Sequence, residues 1–260
     1  MKYLIAVRTD VGIQKETNQD SCCIKVAETK YGQVVMSVLC DGMGGLSKGE
    51  VASATLIAAF CNWFDNELGT ILSAKDAIDE AKSRWERIIK EQNQIIGAYG
   101  RSEHIQLGST ITAQLILYDG SYLIGHVGDS RAYCITNSSI TQLTEDQTVV
   151  AREVKQGKLT PEEAETDPRR NVLLQCVGAS KSVFPEFYYG KVSPQECYML
   201  CSDGFRHLVT SDEIQYTFAP RNNTTEATME RNIEKLIDLN KYRHESDNIT
   251  ALLIKTDQEE

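Results

Sequence analysis

The sequence predicts an α+β protein in which antiparallel sheets are covered by helices, and three observations lead there. Apolar strand-like runs arrive in adjacent groups separated by long helical stretches, without strict strand–helix alternation. The runs ITAQLILY and SYLIGHVG are joined by Asp119-Gly120, which reads as a two-residue hairpin with positive φ at both turn positions. The stretch from Ala74 to Gly97 carries apolar residues at Ala77, Ile78, Ala81, Trp85, Ile88 and Ile89, the 3.6-residue period of an amphipathic helix.

In chain order, strands are predicted at Tyr3 to Thr9, Ser21 to Ala27 and Gln33 to Cys40, then helices at Lys48 to Phe64 and Ala74 to Gly97. Strands follow at Ile111 to Tyr118, Ser121 to Val127 and Ala132 to Thr136. The segment from Thr144 to Ser180 is polar, mostly helical in propensity, and interrupts the strand series. It reads equally as a functional flap and as a surface helix pair without a role. A strand at Tyr198 to Ser202, a helix at Glu226 to Asn240 and a strand at Ile249 to Lys255 complete the set. With no internal repeat and no Pro/Gly/Ser linker, residues 1–260 are expected to form a single domain.

The 37 acidic residues against 27 basic ones give a net charge of −10, which argues against nucleic acid or an anionic membrane as the main partner. Eight scattered cysteines include no C-x-x-C pair, and several, such as Cys40, Cys197 and Cys201, sit in apolar runs as small buried hydrophobes. MKYLIAVRTDVG is too short an apolar run for a signal peptide, and no stretch is long enough to span a bilayer. The expected compartment is the reducing cytoplasm.

Aspartates recur at the ends of strand-like runs. VVMSVLC leads into Asp41-Gly42, YLIGHV into Gly128-Asp129, and YMLC into Ser202-Asp203-Gly204; Asp247 opens ITALLIK and Asp20 precedes SCCIKVA. Carboxylates held on rigid strand ends at an open rim suit hard cations that need oxygen ligands. The glycines after Asp41 and Asp203 are expected to turn the chain and bare a carbonyl. One Asp-Gly after a strand is ordinarily a turn. Five acidic positions sharing one design point to an oxygen-rich, two-metal site suited to hydrolysis or phosphoryl transfer, because like charges at one rim need a cation to neutralise them.

The ordered series N-Q-D (Asn18 to Asp20), D-G-M-G-G (Asp41 to Gly45), G-S-T (Gly108 to Thr110), V-G-D-S-R (Val127 to Arg131), L-T-E-D-Q (Leu143 to Gln147), R-N-V-L (Arg170 to Leu173), S-D-G (Ser202 to Gly204) and D-N-I-T (Asp247 to Thr250) resembles the PPM family. These are the type 2C metal-dependent serine/threonine protein phosphatases, and the likeness is to their compact bacterial members. The resemblance implies a β-sandwich of two antiparallel sheets flanked by helices, with residues 144–180 as flap. It implies two Mn²⁺ or Mg²⁺ ions bridged by Asp41, with the Gly42 carbonyl on the second and Asp203 and Asp247 on the first. Asp20 would orient bound water, and Asp129 would hold a weaker third ion. The implied reaction is in-line attack on phosphorus by a water shared between the ions, releasing serine or threonine. Phosphorylated proteins are the implied substrates, and a serine/threonine kinase the opposing enzyme.

Three positions depart from the family pattern. Lys15 stands where an arginine usually clamps phosphate, supplying charge without the planar fork. Gln19 replaces a glutamate used by some members. Met43 replaces a histidine proposed as general acid, so water or another acid must protonate the leaving group. His126, Trp63 and Trp85 read as core. Two further readings share the fold: a non-catalytic binding module, and a phosphatase dedicated to one small phosphoprotein in a partner-switching pathway.

Overall fold

The fold is seen in a computed structural model that describes residues 2–44 and 48–257; Gly45 of the D-G-M-G-G motif lies outside them. Eleven strands and seven helices are present among these residues. The first group is β1 (Lys2–Asp10), β2 (Asp20–Thr29), β3 (Gly32–Gly44), α1 (Gly49–Ile71), α2 (Ala77–Glu103), β4 (Leu107–Ser109), β5 (Ile111–Ile116), β6 (Ser121–Val127) and β7 (Arg131–Ile135). The second is β8 (Ile140–Gln142), α3 (Val149–Lys155), α4 (Pro161–Thr166), β9 (Glu186–Lys191), β10 (Cys197–Cys201), α5 (Asp203–Arg206), α6 (Ser211–Phe218), α7 (Glu226–Tyr242) and β11 (Ile249–Asp257).

One sheet runs β1-β11-β10-β7-β8 and the other β2-β3-β5-β6-β9, with β4 paired to the end of β3. Every pairing is antiparallel. The period-two alternation of strands explains the three core layers. In β3, Val34, Met36, Val38 and Cys40 pack under α1 and α2, whereas Val35 and Leu39 face the other sheet. In β11, Ala251 and Leu253 face α5, α6 and α7, and Leu252 and Ile254 face β3 and β6 across the sandwich. Both faces of these central strands are buried, which is why they read as continuous apolar runs. The four layers confirm the predicted sandwich flanked by helices.

Trp63 on α1 and Trp85 on α2 meet edge to face, with ring centroids 5.5 Å apart, inside the helix–sheet core. His126 is fully buried and held by Thr112 Oγ1 at 3.0 Å and the Glu145 carbonyl at 3.1 Å, a packed core histidine as its flanks suggested. Among the described residues no helix is long and apolar enough to cross a membrane.

Two local expectations are corrected. At Asp119-Gly120 only Gly120 has positive φ, at 81°. The Gly120 N–H donates to the Leu117 carbonyl and the Leu117 N–H to the Ser121 carbonyl, so a longer turn closed by a left-handed glycine replaces the two-residue hairpin. Gly42 and Gly204 have no positive φ: Gly42 continues β3, and Gly204 lies in α5. Gly42 lies inside β3, where a Cβ would strike the Gly49 and Gln19 carbonyl oxygens, and a Cβ on Gly204 would strike the Asn248 carbonyl. Close backbone approach, not turn conformation, demands glycine at both.

Candidate metal centre

Five strand ends meet at one end of the sandwich. Asp20 opens β2 and stands opposite Asp41 on β3. Asp129 occupies the turn from β6 to β7, Asp203 begins α5 directly after β10, and Asp247 stands two residues before β11. A pocket of about 320 Å³ is lined by Lys15, Asp41, Gly42, Asp129, Asp203 and Asp247, together with Gln19, Met43, Asn171 and Leu173. Asp20 lies beneath it, 8% exposed. The structure therefore gathers every sequence-predicted site residue in one place. Larger hollows of about 600 and 580 Å³ lie elsewhere; the first is lined by Glu145, Asp146 and Glu186 and the second by Asp65, and neither contains a sequence-predicted site residue.

The scaffold behind each residue explains several motifs. The Asp41 N–H donates to Thr110 Oγ1 at 3.0 Å, and its carbonyl accepts from the Thr110 N–H at 2.8 Å and from Ser109 Oγ at 3.0 Å. The G-S-T motif thus fixes the Asp41 backbone. Asn248 Oδ1 accepts from the Gln19 N–H at 2.9 Å, while its Nδ2 donates to the Val11 and Thr17 carbonyls and so pins the loop that carries Lys15. With its amide turned to suit its neighbours, Gln19 donates to the Gly42 carbonyl at 3.3 Å and accepts from the Gly49 N–H at 3.1 Å. Arg206 Nη2 donates to the Asp129 carbonyl at 3.1 Å. The flap root is tied to the same turn, since the Gln147 N–H donates to the Gly128 carbonyl and Gln147 Oε1 accepts from the Gly128 N–H. The flap's far end is held by Asn93, whose amide bonds Gly178 and Ser180.

The electrostatics are those of crowded, dehydrated anions. Burial pushes Asp20 and Asp129 up to about 7, and the neighbouring Asp203 adds to both shifts. Asp41 is held well above the usual carboxylate range by burial first, then by Asp20, Asp203, Asp129 and Asp247. Lys15 Nζ lies 3.0 Å from Asp247 Oδ1. Burial would lower its pKa, but Asp247, Asp41 and Asp203 outweigh that and raise it.

Whether these residues suit divalent cations is answered by their oxygens. Both Asp20 oxygens and Asp203 Oδ1 are buried without a hydrogen-bond partner of good geometry, although the Ser202 and Thr250 hydroxyls lie close enough to offset part of the Asp20 shift. Orphaned buried carboxylate oxygens are costly unless a cation or proton meets them. Among the described residues, no three His, Cys, Asp or Glu side chains converge tightly enough to enclose an ion unaided. An all-oxygen rim of spaced carboxylates fits Mg²⁺ or Mn²⁺, which keep several waters and use few protein ligands, better than it fits a soft metal. The residues present therefore fit the expected ions.

Asn171 and Leu173 reach the pocket from the flap. They belong to the R-N-V-L motif, yet nothing in their residue types alone marks them as site residues. His207, 3.5 Å from Asp203 Oδ2, was likewise not singled out by sequence.

Comparison with known proteins agrees with this geometry. The family model described as protein phosphatase 2C matches residues 13–241. The serine/threonine phosphatase Stp of Listeria monocytogenes serotype 4b is 31% identical over 253 residues, covering 96% of this chain and 94% of its own. Among solved structures, the serine/threonine phosphatase Stp1 from Staphylococcus aureus has a TM-score of 0.83 at 29% identity, covering 99% of this chain and 96% of that one. The catalytic domain of the serine/threonine phosphatase PstP, solved in complex with two manganese ions, has a TM-score of 0.78 at 27% identity, covering 99% and 100%. On fold, site and sequence together, this chain belongs to the protein phosphatase 2C family.

Proposed function

We propose that the chain is a metal-dependent protein serine/threonine phosphatase that hydrolyses phosphoserine and phosphothreonine with two Mn²⁺ or Mg²⁺ ions. The observation that carries this reading is the pocket itself, in which the carboxylates of Asp41, Asp129, Asp203 and Asp247 face one opening beside Lys15. Asp41 would serve both ions, Asp203 and Asp247 would hold the first, the Gly42 carbonyl would meet the second, and Asp129 would hold a weaker third. Asp20, opposite Asp41 on the neighbouring strand, would orient bound water. The chemistry that bound divalent cations supply here is Lewis acidity toward water and toward the phosphoryl oxygens.

Lys15 orients the phosphate as a point charge, released from Asp247 when a substrate anion arrives. Asn171 and Leu173 border the opening from the flap side and limit solvent access. Residues 1–260 work as one catalytic unit with 144–180 as the flap. The enzyme acts in the cytoplasm on phosphorylated proteins and opposes a serine/threonine kinase.

The direct test is phosphate release from a phosphothreonine peptide with Mn²⁺ and with EDTA. Manganese-dependent release is expected; a protein that binds the peptide but releases nothing in either condition would be a binding module.

A further inference from the structure

We propose that Glu245 and His207 form a strut that positions Asp203 and Asp247 together as ligands of the first cation. The proposal rests on the metal-dependent reading above. Neither residue belongs to the motifs that carry the family likeness. His207 directly follows α5, and its Nε2 lies 3.5 Å from Asp203 Oδ2. Its other nitrogen, Nδ1, lies 3.5 Å from Glu245 Oε2. The second Glu245 oxygen, Oε1, accepts the backbone N–H groups of Ser246 at 2.7 Å and Asp247 at 3.0 Å. One carboxylate thus reaches both ligands, Asp203 through an imidazole and Asp247 through its main chain.

The local structure shows why such a tie is useful. Asp203 begins a helix of only four residues, and Asp247 sits on the loop between α7 and β11. Neither element is long enough to fix a side chain by itself. Glu245 is 4% exposed, and its own N–H donates to the Asn240 carbonyl near the end of α7 at 3.0 Å. A buried carboxylate is tolerated only where its oxygens are met, and here both are. With Asp203 Oδ2 in contact with His207, Oδ1 has no hydrogen-bond partner and is the oxygen left for an ion. Outer partners of this kind typically change metal affinity by about 10- to 100-fold when removed. His207 and Glu245 are positioning residues: they act on the ligands and touch neither ion nor substrate.

The experiment is calorimetric titration of Mn²⁺ into chelator-stripped wild type, His207→Ala, His207→Gln, Glu245→Gln and the double variant His207→Ala/Glu245→Gln, with circular dichroism as the check on folding. His207→Ala and Glu245→Gln should each weaken the tighter site by about tenfold or more. His207→Gln keeps a donor and should recover part of the loss. The double variant should bind no more weakly than the worse single one, because the two residues act in series. Single variants within about twofold of wild type, or losses that simply multiply, overturn the strut while wild type still binds two ions. Wild type that takes up no manganese overturns the metal-dependent reading and the strut with it. Should His207→Ala fail to fold, the near-isosteric Gln variants decide.

Discussion

Asp20 and Asp41 face each other on the same rung of the β2–β3 ladder. Directly opposed like charges on one sheet face are destabilising, and here Asp20 is buried and Asp41 half-buried. The fold therefore keeps an arrangement that it would otherwise avoid. From this follows the first expectation: Asp41→Ala, Asp203→Ala and Asp247→Ala each stay folded but lose hydrolysis by on the order of a thousandfold. In EDTA, Asp41→Asn should melt above wild type. Near-normal turnover of any one alanine variant with Mn²⁺ present would remove that residue from the ligand set.

Asp129 differs from those three. It sits in the turn that also roots the flap through Gln147. Asp129→Ala should bind two ions almost normally by calorimetry yet turn over phosphopeptides poorly. Unchanged peptide kinetics would make it an ordinary turn residue.

Acidity should matter most when metal is absent. Burial first, then neighbouring carboxylates, hold Asp20 and Asp129 at about 7, against roughly 4 in the unfolded chain. Folding takes up protons between those values, so this contribution to stability is fully present at low pH and is lost as pH rises toward about 7. In EDTA the melting temperature should fall from pH 5.5 to pH 7.5; in excess Mn²⁺ the same interval should be nearly flat. A rise across it in EDTA would contradict the assignment.

Asp146 makes a stability prediction away from the pocket floor. It accepts from Arg131 Nε at 2.8 Å and Nη2 at 2.7 Å and lies 3.4 Å from Arg206 Nη2, with 14% of its side chain exposed. Burial alone would raise its pKa, but the two guanidinium groups hold it below the ordinary range. Asp146→Ala leaves two inward-facing cations without their anion, which should cost about 3 kcal/mol, or about 6–12 °C in melting temperature for a chain of this size. A shift under about 2 °C would show that the cluster contributes little.

Flap charges should sort substrates. Arg152 and Lys155 line the hollow of about 600 Å³ between flap and sheet, and Lys155 pairs with the exposed Glu145 at 2.7 Å. An exposed pair of this kind adds little stability, so these residues are free to be reversed. Arg152→Glu with Lys155→Glu should change kcat/KM for phosphopeptides while leaving an aryl phosphate within about twofold. Equal effects on both substrate classes would count against selection by the flap.

Much of this was legible in the chain because the central strands bury both faces and so announce themselves as apolar runs. The carboxylates were legible because they terminate those runs. What escaped was set by tertiary contact. Edge strand β9 is mostly exposed and shows no clean alternation, and β4 and β8 have three residues each. Helix α6 carries a capping box, Thr210 with Glu213, but only a short apolar stretch behind it. Gly42 reads as a turn in the sequence because its real constraint, the Gly49 carbonyl, comes from another element. His207 carries no signal in the sequence because its partners lie four residues back and 38 residues on, a pairing that only the folded chain creates.

The carboxylates are divided between the two sheets. Asp20 and Asp41 belong to the β2–β3 layer, Asp203 and Asp247 flank strands of the β10–β11 layer, and Asp129 lies where the chain crosses from β6 to β7. Ions seated among them would tie together two sheets whose facing surfaces are otherwise largely apolar. Stripping the metal should then speed amide exchange along β3 and β11 together, well beyond the residues that touch the ions, and restoring it should slow both at once.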